Sequence, residues 1–472
     1  MNSRSITVRE TTVTTRRMRT KQRRGPKRLN AFVILVGAAV VIAGLTSRLR
    51  IKFIGDLPVD EILFLPMMPI LLLVQGRRQM VRPTMRPLLI LLGVWLAGQM
   101  LTDVYRGTAF VDWARGDANI VFFGIDLLAL IALLGRSESR KIIFLIGYSI
   151  SQLLAMKYQS VGGQSSHGWK FGWGISVNIL VVVCSCYFYR RRNYAVTFLL
   201  LMAIAAVNLI ANDRSVVLFL FVTVALVVPV IPERVGRLRL LPPPGTLGRT
   251  FALTALALGA AAAALGAVKL ATNSGLMGEE QQKKNEKQAQ SSVGTLLAGR
   301  PEILVSSRAV IDSPILGHGS KAKDPKYIEM LTDLEARYGV SERSPDDIEN
   351  RTEGRIPSHS FILGTWVEAG ILGAIFWIYL LRPAPKALLR VPLLKPPLAP
   401  LYAYALCSLI WDIFFSPFAG GSRILAAFAI VIMADMLETQ APDLAIKPSR
   451  RARKRWRAPQ SGLTAARIIS TC

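Results

Sequence analysis

The sequence predicts an all-α, polytopic integral membrane protein with about twelve transmembrane helices and one large extracytoplasmic loop. Three observations support this fold class: the apolar composition, the spacing of the apolar segments and the distribution of basic residues. Of the 472 residues, 51% are hydrophobic, and the mean hydropathy is +0.38. Such a composition is typical of a chain that crosses a membrane several times, and it excludes an ordinary soluble enzyme.

The apolar residues fall into twelve segments that we interpret as membrane helices. A helix of about 20 residues spans the roughly 30 Å hydrocarbon core of a bilayer. Some segments are shorter and can be tilted or re-entrant, so eleven crossings are also compatible with the pattern. In chain order the segments are 31–46, 60–75, 87–101, 118–135, 141–156, 172–189, 194–211, 215–231, 250–271, 359–381, 399–415 and 422–438.

Basic residues mark one side of the membrane. The chain carries 58 Lys and Arg against 30 Asp and Glu, a formal net charge of +28. Short cytoplasmic loops of membrane proteins are enriched in Lys and Arg. This rule predicts a cytoplasmic position for both basic tails and for the loops 76–86, 136–140, 190–193, 232–249 and 382–398. The first outer loop departs from the pattern, because it contains Arg48, Arg50 and Lys52.

The same features divide the chain into five parts. These are a basic cytoplasmic tail (1–30), nine transmembrane helices (31–271), the extracytoplasmic loop (272–358), three more transmembrane helices (359–438) and a second basic cytoplasmic tail (439–472). From Ala271 to Ser358 the loop holds twelve basic and fourteen acidic residues, a net charge of −2. The excess positive charge therefore belongs to the membrane topology and to contact with anionic lipids, and no nucleic-acid partner is predicted.

Two short helices are predicted inside the extracytoplasmic loop. One covers residues 301–312, and Pro301 suits its first position, which places Arg300 at the helix N-terminus. Free backbone N–H groups together with an arginine favour the binding of an anion. The second helix begins at Asp324-Pro325 and has an apolar face that needs cover from the membrane or from other helices.

No metal and no cofactor are predicted. The four cysteines, Cys184, Cys186, Cys407 and Cys472, have neither the spacing of a disulfide framework nor that of a metal site. The sequence also lacks a P-loop, a dinucleotide fingerprint and a zinc-protease motif.

His359 stands at the mouth of a long apolar segment. Pro357 suits a helix start and Ser358 suits the N-cap, while Gly370 and Gly373 leave a bare strip where another helix can pack closely. A histidine at such a position can take a proton from a bound hydroxyl, because its ordinary pKa lies near neutrality. An interfacial histidine that only caps or anchors the helix is an equally weighted alternative. His318 is expected to be structural, and His167 to be a solvated loop residue.

Arg214 and Arg300 are predicted to lie on the same face of the membrane as His359. Two guanidinium groups suit a diphosphate, since each offers a bidentate fork; the alternative for Arg214 is a helix-end anchor. Arg308 and Arg423 are weaker candidates for the same duty. Two intramembrane acids, Asp126 and Glu368, are either functional or interhelical hydrogen-bond partners, and the sequence favours neither interpretation.

Three motifs resemble those of the O-antigen ligase and O-antigen polymerase superfamily of bacterial inner membranes. His359-Ser360-x9-Gly370-x-x-Gly373 is similar to its histidine motif. Leu297-Ala298-Gly299-Arg300 followed by Asp312-Ser313-Pro314-Ile315-Leu316-Gly317-His318-Gly319 resembles its loop signature. Asn212-Asp213-Arg214-Ser215 resembles its Ser-Arg element, with Asp213 where serine is commoner. The resemblance covers about residues 195–440.

The resemblance implies an inverting, metal-independent membrane glycosyltransferase with its active site on the periplasmic face of the inner membrane. Its donor would be a glycan linked to undecaprenyl diphosphate, with Arg214 and Arg300 binding the diphosphate and His359 acting as the base. The acceptor would be a sugar hydroxyl, either on another repeat unit (O-antigen or exopolysaccharide polymerase) or on a lipid A core (ligase). The sequence leaves this choice open, with a slight preference for polymerase. Other polysaccharide-export proteins are expected partners, and a transporter of lipid-linked glycans or polysaccharides and a structural scaffold are the competing interpretations.

Overall fold

The structure is a computed structural model. It describes residues 31–51, 57–71, 82–158, 168–228, 234–235, 238–239, 247–274, 300–338, 352–418 and 420–439. Several sequence-based predictions lie outside the described residues, among them those on the tail 1–30, on 440–472, on His167, on residues 297–299 and on most of the loops 76–86 and 232–249.

The described residues form fifteen α-helices, a short π-helical turn (Trp169–Trp173) and two short antiparallel strand pairs. The strand pairs are β1 (Arg50–Ile51) with β2 (Leu57–Pro58), and β3 (Arg234–Val235) with β4 (Leu238–Arg239). The helices are α1 (Ala31–Thr46), α2 (Val59–Leu71), α3 (Met85–Arg106), α4 (Phe110–Leu134), α5 (Glu138–Tyr158), α6 (Gly174–Arg190), α7 (Tyr194–Ile210), α8 (Arg214–Val227), α9 (Leu247–Asn273), α10 (Pro301–Asp312), α11 (Pro325–Tyr338), α12 (Phe361–Leu380), α13 (Pro383–Leu394), α14 (Ala399–Phe415) and α15 (Gly420–Glu438).

The all-α fold class is confirmed, and the apolar helices are those of a membrane protein. Among the described residues, four helical stretches are long and apolar enough to cross a bilayer: Met85–Arg106, Phe110–Leu134, Gly248–Ala271 and Phe361–Leu394. Other apolar helices, such as Gly174–Arg190 and Ala399–Phe415, are shorter. The number of twelve crossings stays a prediction.

One continuous apolar core joins most of the long helices. The helix α12 packs along α3, α15 packs on α4, and α14 lies against α6, α8 and α15. Aromatic side chains fill the centre: Trp95 and Phe123 pack against Trp377 with ring centroids 5.9 and 5.7 Å away, respectively. Such tilted aromatic contacts add to the stabilisation from burial alone.

A second, smaller core covers the apolar face of α11. Tyr327 and Leu331 of that helix are buried together with Val305 and Ala309 of α10 and with Val367 of α12. Of the two kinds of cover that the sequence allowed, other helices therefore provide it. The helix α10 begins at Pro301, as predicted, and it is held between α11 and α12.

The start of α12 differs from the prediction. Its N-cap is Ser360 and not Ser358, because the Ser360 backbone is extended (φ −154°, ψ 135°) and its side-chain oxygen accepts a hydrogen bond from Leu363 N at 3.2 Å. His359 consequently lies just outside the helix. The predicted bare strip is also wrong for Gly370, because a Cβ there would overlap the carbonyl oxygen of Ile315 in a loop, not a neighbouring helix.

The helix α13 differs from the prediction, since its residues lie in the predicted cytoplasmic loop 382–398. Its prolines, one of them inside the helix at Pro392, conceal the helical period in the sequence. The period is nevertheless present: Ala384, Ala387, Leu388 and Val391 are buried, at positions that share one helical face. That face packs against α14 and α15.

Candidate functional site

Arg300 is held against the last turn of α14. It is the N-cap residue of α10, and Pro301 occupies the first helical position. Its guanidinium donates a hydrogen bond to the carbonyl oxygen of Phe415 and lies over the rings of Trp411 and Phe415, 5.3 and 5.8 Å from their centroids. The last carbonyls of a helix lack intrahelical partners and carry partial negative charge, so a cation is stabilised there.

Arg214 is the first residue of α8. The chain turns sharply before it, because Asn212 adopts a left-handed backbone (φ 58°). Asp213 then caps the helix, accepting hydrogen bonds from Val216 N at 3.4 Å and from the Ser215 hydroxyl at 3.0 Å. The Nε atom of Arg214 donates to the Asn212 side chain at 3.0 Å, so the same turn orients the half-buried guanidinium.

The start of α8 and the start of α10 lie close to each other. Phe219 of α8 packs edge-to-face against Trp411, with centroids 5.9 Å apart, and Arg300 lies over the same indole ring. Burial raises the pKa of Asp213, while the positive charges of Lys170 and Arg300 act in the opposite direction. The two arginines predicted to bind one diphosphate are therefore brought to the same end of α14.

His359 lies near the same end of α14, because its neighbour Ser360 is bonded there. The Ser360 hydroxyl donates to the carbonyl oxygen of Ile413 at 2.8 Å, two residues before Phe415, to which Arg300 is bonded. His359 itself is half-buried. The structure thus gathers the three motif segments around residues 411–415 of α14, which we call the Phe415 end of the bundle.

Three further residues at the Phe415 end were not singled out from the sequence. Asp412 accepts hydrogen bonds from Ser416 at 2.6 Å and Ser408 at 3.2 Å, and it lies within electrostatic range of Arg300. The positive charge of Lys170 lowers the pKa of Asp213, and the ring of Trp411 lies under the guanidinium of Arg300. The rule that an acid inside an apolar segment is a functional candidate could have found Asp412; Lys170 lies in an irregular turn that has no sequence signal.

Arg308 does not join this group. It lies on the exposed side of α10, with its side chain 53% exposed, and pairs with Asp312 at 3.1 Å. An exposed pair four residues apart on a helix contributes at most a few tenths of a kcal/mol, roughly 0.3–0.5.

Arg423 and Asp126 belong to a different cluster inside the bundle. Arg423 is 3% exposed, forms an ion pair with Glu61 and donates to the Asn119 side chain at 2.6 Å. Asp126 and Asp60 are buried and interact electrostatically with this pair. The structure therefore assigns the guanidinium of Arg423 to carboxylates between α2, α4 and α15, and not to the Phe415 end.

Glu368 and His318 hold a loop in place. The carboxylate of Glu368 accepts a hydrogen bond from Lys321 N at 3.2 Å. The His318 ring nitrogen Nε2 is hydrogen-bonded to the carbonyl oxygen of Ala309 at 2.8 Å, and its ring packs edge-to-face on Tyr327. Of the two interpretations of Glu368, the hydrogen-bond partner is the one with a visible contact.

Among the residues that the structure describes, no group of three or more His, Cys, Asp and Glu side chains is arranged to hold a metal ion. Comparison with known proteins identifies no relative: no protein-family model matches the chain, and no curated protein is detectably similar to it. Any function must therefore be argued from the geometry of the Phe415 end and from the motifs that meet there.

Proposed function

We propose that the protein is a membrane glycosyltransferase that moves a glycan from an undecaprenyl-diphosphate-linked donor to a sugar hydroxyl, and so polymerises a surface polysaccharide. The observation that carries the proposal is that the segments of Arg214, Arg300 and His359, about 60 to 150 residues apart in the chain, converge on one helix end. If these residues had only local structural roles, nothing would require their segments to converge on one helix end.

The reaction that suits these groups is a direct displacement at the anomeric carbon. The acceptor oxygen forms the new glycosidic bond while the bond to the diphosphate oxygen breaks, which inverts the anomeric centre. The leaving lipid diphosphate gains negative charge, which Arg214 and Arg300 stabilise. His359 takes the proton of the acceptor hydroxyl.

The proposed location is the bacterial inner membrane, with the Phe415 end on the extracytoplasmic face and twelve crossings. The described basic residues support this orientation, because Arg82, Arg136 and Arg390 from three of these loops lie at the opposite end of the helices, beside the end of α15. A donor at the Phe415 end would keep its undecaprenyl chain among the apolar helices and its diphosphate beside the arginines.

Two alternatives remain in the same proposal. A lipid A core in place of a repeat-unit acceptor would make the protein an O-antigen ligase, using the same residues. A transporter of lipid-linked glycans is favoured by one observation, the buried charged cluster of Asp60, Glu61, Asp126 and Arg423, because charges inside a bundle are a common feature of transport paths.

The test is a reconstituted assay with purified protein in liposomes and a fluorescent, undecaprenyl-diphosphate-linked repeat unit. A polymerase would yield a ladder of longer lipid-linked products and release undecaprenyl diphosphate, in the presence of a chelator as well as without it. Adding lipid A core as acceptor distinguishes the ligase. Movement of intact donor across the bilayer without any new glycosidic bond would replace the proposal by the transporter.

A further inference from the structure

The loop 313–321, which we call the docked loop, lies between the C-terminal end of α3 and the middle of α12. It follows directly after Asp312, the last residue of α10, and α10 carries Arg300 at its other end. The docked loop therefore connects α10, which carries Arg300, to the parts of α3 and α12 that contact the loop.

The first support is a break in α12. At Gly370 the backbone leaves the helical region (φ 63°, ψ −157°). In a regular helix Val367 O would accept from Ile371 N. Here Val367 O accepts from His318 N at 2.7 Å, and Ile371 N donates to Ile315 O at 3.2 Å. The backbone of the docked loop thus replaces the helix's own hydrogen bond across the break.

A second set of hydrogen bonds joins the docked loop to Glu368 of α12. Glu368 O accepts from Gly319 N at 3.1 Å, and the Glu368 carboxylate accepts from Lys321 N at 3.2 Å. The approach of the two backbones requires glycine on both sides: a Cβ at Gly317 (φ 74°) would lie 2.6 Å from Gly370 N. Side chains at these positions would push the loop away from the helix.

The other support is the end of α3. Asp103, which is 1% exposed, accepts hydrogen bonds from both Ser320 N and the Ser320 hydroxyl, each at 2.6 Å. Arg106 donates to Gly317 O at 2.7 and 3.0 Å. Both side chains hold the docked loop; Arg106 is exposed, so Asp103 is the buried anchor of the two.

The break in α12 links the Asp103 anchor to the proposed site. Beyond Gly370, the second half of α12 packs into the main core through Phe376 and Trp377. The first half, which follows His359, reaches the same core through Phe361, whose ring centroid lies 4.8 Å from that of Trp377, but the break interrupts its helical hydrogen bonds and the docked loop spans the gap. Because the same loop continues into α10 and is bonded to the half of α12 that follows His359, it connects the segments of His359 and Arg300, in addition to the separate contacts of Ser360 and Arg300 with α14.

We propose that Asp103 is a positioning residue for the transfer reaction, holding the docked loop so that His359 faces a donor bound at Arg300. This inference rests on the function proposed above. Asp103 acts through the loop and need not touch the substrate. The site is completed by a polar anchor on α3, a helix outside all three sequence motifs.

The experiment compares Asp103→Ala and Asp103→Asn with wild type and with Lys326→Gln. Lys326 is a matched control, since it also bonds a carboxylate at the end of α10, that of Asp312 at 2.7 Å, but on the exposed side. Amide hydrogen exchange, followed by mass spectrometry, measures the protection of residues 315–321 and 367–371. The reconstituted assay measures kcat, and fluorescence of the labelled donor measures its Kd.

Asp103→Ala should speed exchange in both segments and lower kcat by roughly 10- to 100-fold, because a displacement of about 1 Å can cost on the order of 10²-fold. The donor Kd should stay close to wild type, since Arg300 keeps its contact with α14. Asp103→Asn retains one acceptor for Ser320 N and should recover part of both effects. Lys326→Gln should behave as wild type in exchange and in kcat.

Each contrary result has a separate meaning. Unchanged exchange in Asp103→Ala would show that Asp103 does not hold the loop, and faster exchange with unchanged kcat would show that the loop does not position the site; either overturns the inference. His359→Ala is measured in parallel. If it leaves transfer unchanged, or no transfer is seen in wild type, the proposed function fails, whereas the exchange result still reports on the anchor.

Discussion

The two ends of the helix bundle use charge differently. At the end where α15 finishes, which we call the Asp435 end, cations and carboxylates of different helices pair directly. Asp435 is bonded to both Lys141 and Arg82, and Glu438 to Arg82 and Arg136. Around Phe415, the contacts of two site segments go to backbone near a helix end, Arg300 to one carbonyl oxygen and Ser360 to another, a kind of contact that Arg390 also makes at the Asp435 end.

This difference separates a structural role from a candidate site. Ion pairs at the Asp435 end lock regular helices to each other, and the Lys141 ammonium is fully buried and also bonded to the Tyr402 hydroxyl. Left-handed residues occur on both sides, Asn212 on one and Lys395 on the other, but the extended Ser360 at the Phe415 end and the break at Gly370 both fall on α12, which also carries the histidine motif. Irregular backbone at membrane depth is tolerated where it is buried in protein or lines a cavity, which is where ligand sites occur.

The first test asks on which side of the membrane each end of the bundle lies, and its outcome is all-or-none. In a variant without native cysteines, Thr332→Cys on α11 should react with a membrane-impermeant maleimide in intact cells. Arg382→Cys, at the start of α13 near the Asp435 end, should react only after permeabilisation. Both positions are exposed in the structure, so access depends on the membrane alone. Labelling of both, or the reverse pattern, would contradict the proposed topology.

The next effect is expected at His359. His359→Ala should lower kcat about 10²- to 10⁴-fold, the usual contribution of a positioned base. Donor binding should be largely retained, because Arg214 and Arg300 remain. The reconstituted assay measures the rate, and the labelled donor measures the affinity.

His359→Gln provides the control for size and polarity. Normal turnover of both variants would identify His359 as a helix-end residue without a chemical role, the alternative left open by the sequence. The Phe415 end would then be as structural as the Asp435 end.

A smaller loss is expected at the arginines. Arg300→Lys keeps the charge but removes the fork, and hydrogen bonds to charged groups contribute about 1.5–3 kcal/mol, which corresponds to roughly 10- to 100-fold in donor affinity. Arg214→Lys should behave similarly. The matched control is Arg308→Lys on the exposed side of the same helix, which should bind the donor as wild type does. Equal effects at both positions would remove the distinction between Arg300 and a surface arginine.

These residues also show what the sequence could and could not predict. The apolar helices and the start of α10 follow from local patterns, which need only a window of residues. The pairing of His318 N with Val367 O joins residues about 50 apart, and Asp103 bonds Ser320 across 217 positions. No local pattern encodes such contacts, so the break at Gly370 was interpreted as a helix-packing surface. The sequence points to Gly370 as a site of close packing, but it does not identify Ile315 as the partner.

At the Asp435 end the expected effect is on stability alone. Lys141→Met would leave Asp435 buried with one partner fewer, and removing one member of a buried ion pair costs about 3–5 kcal/mol. Thermal unfolding in detergent should show the loss, while kcat per folded molecule stays unchanged. Arg136→Gln is the control, because that side chain is 60% exposed and such pairs contribute only about 0–1 kcal/mol. A lower kcat in folded Lys141→Met would mean that the two ends are coupled.

The smallest effect is expected at Asp312, between α10 and the docked loop. Hydrogen bonds from Lys326 and Tyr327 lower the pKa of Asp312 from its ordinary 3.8 to about 2. A carboxylate with a lowered folded-state pKa stabilises the fold above its ordinary pKa, and this contribution is lost as the pH falls through about 2. Asp312→Asn should therefore lower the melting temperature slightly at neutral pH, and the difference from wild type should vanish as the pH falls from about 4 to about 2. Asp333→Asn, exposed on α11, should show no such convergence. A difference that persists at the acid limit would mean that Asp312 acts through its shape and not its charge.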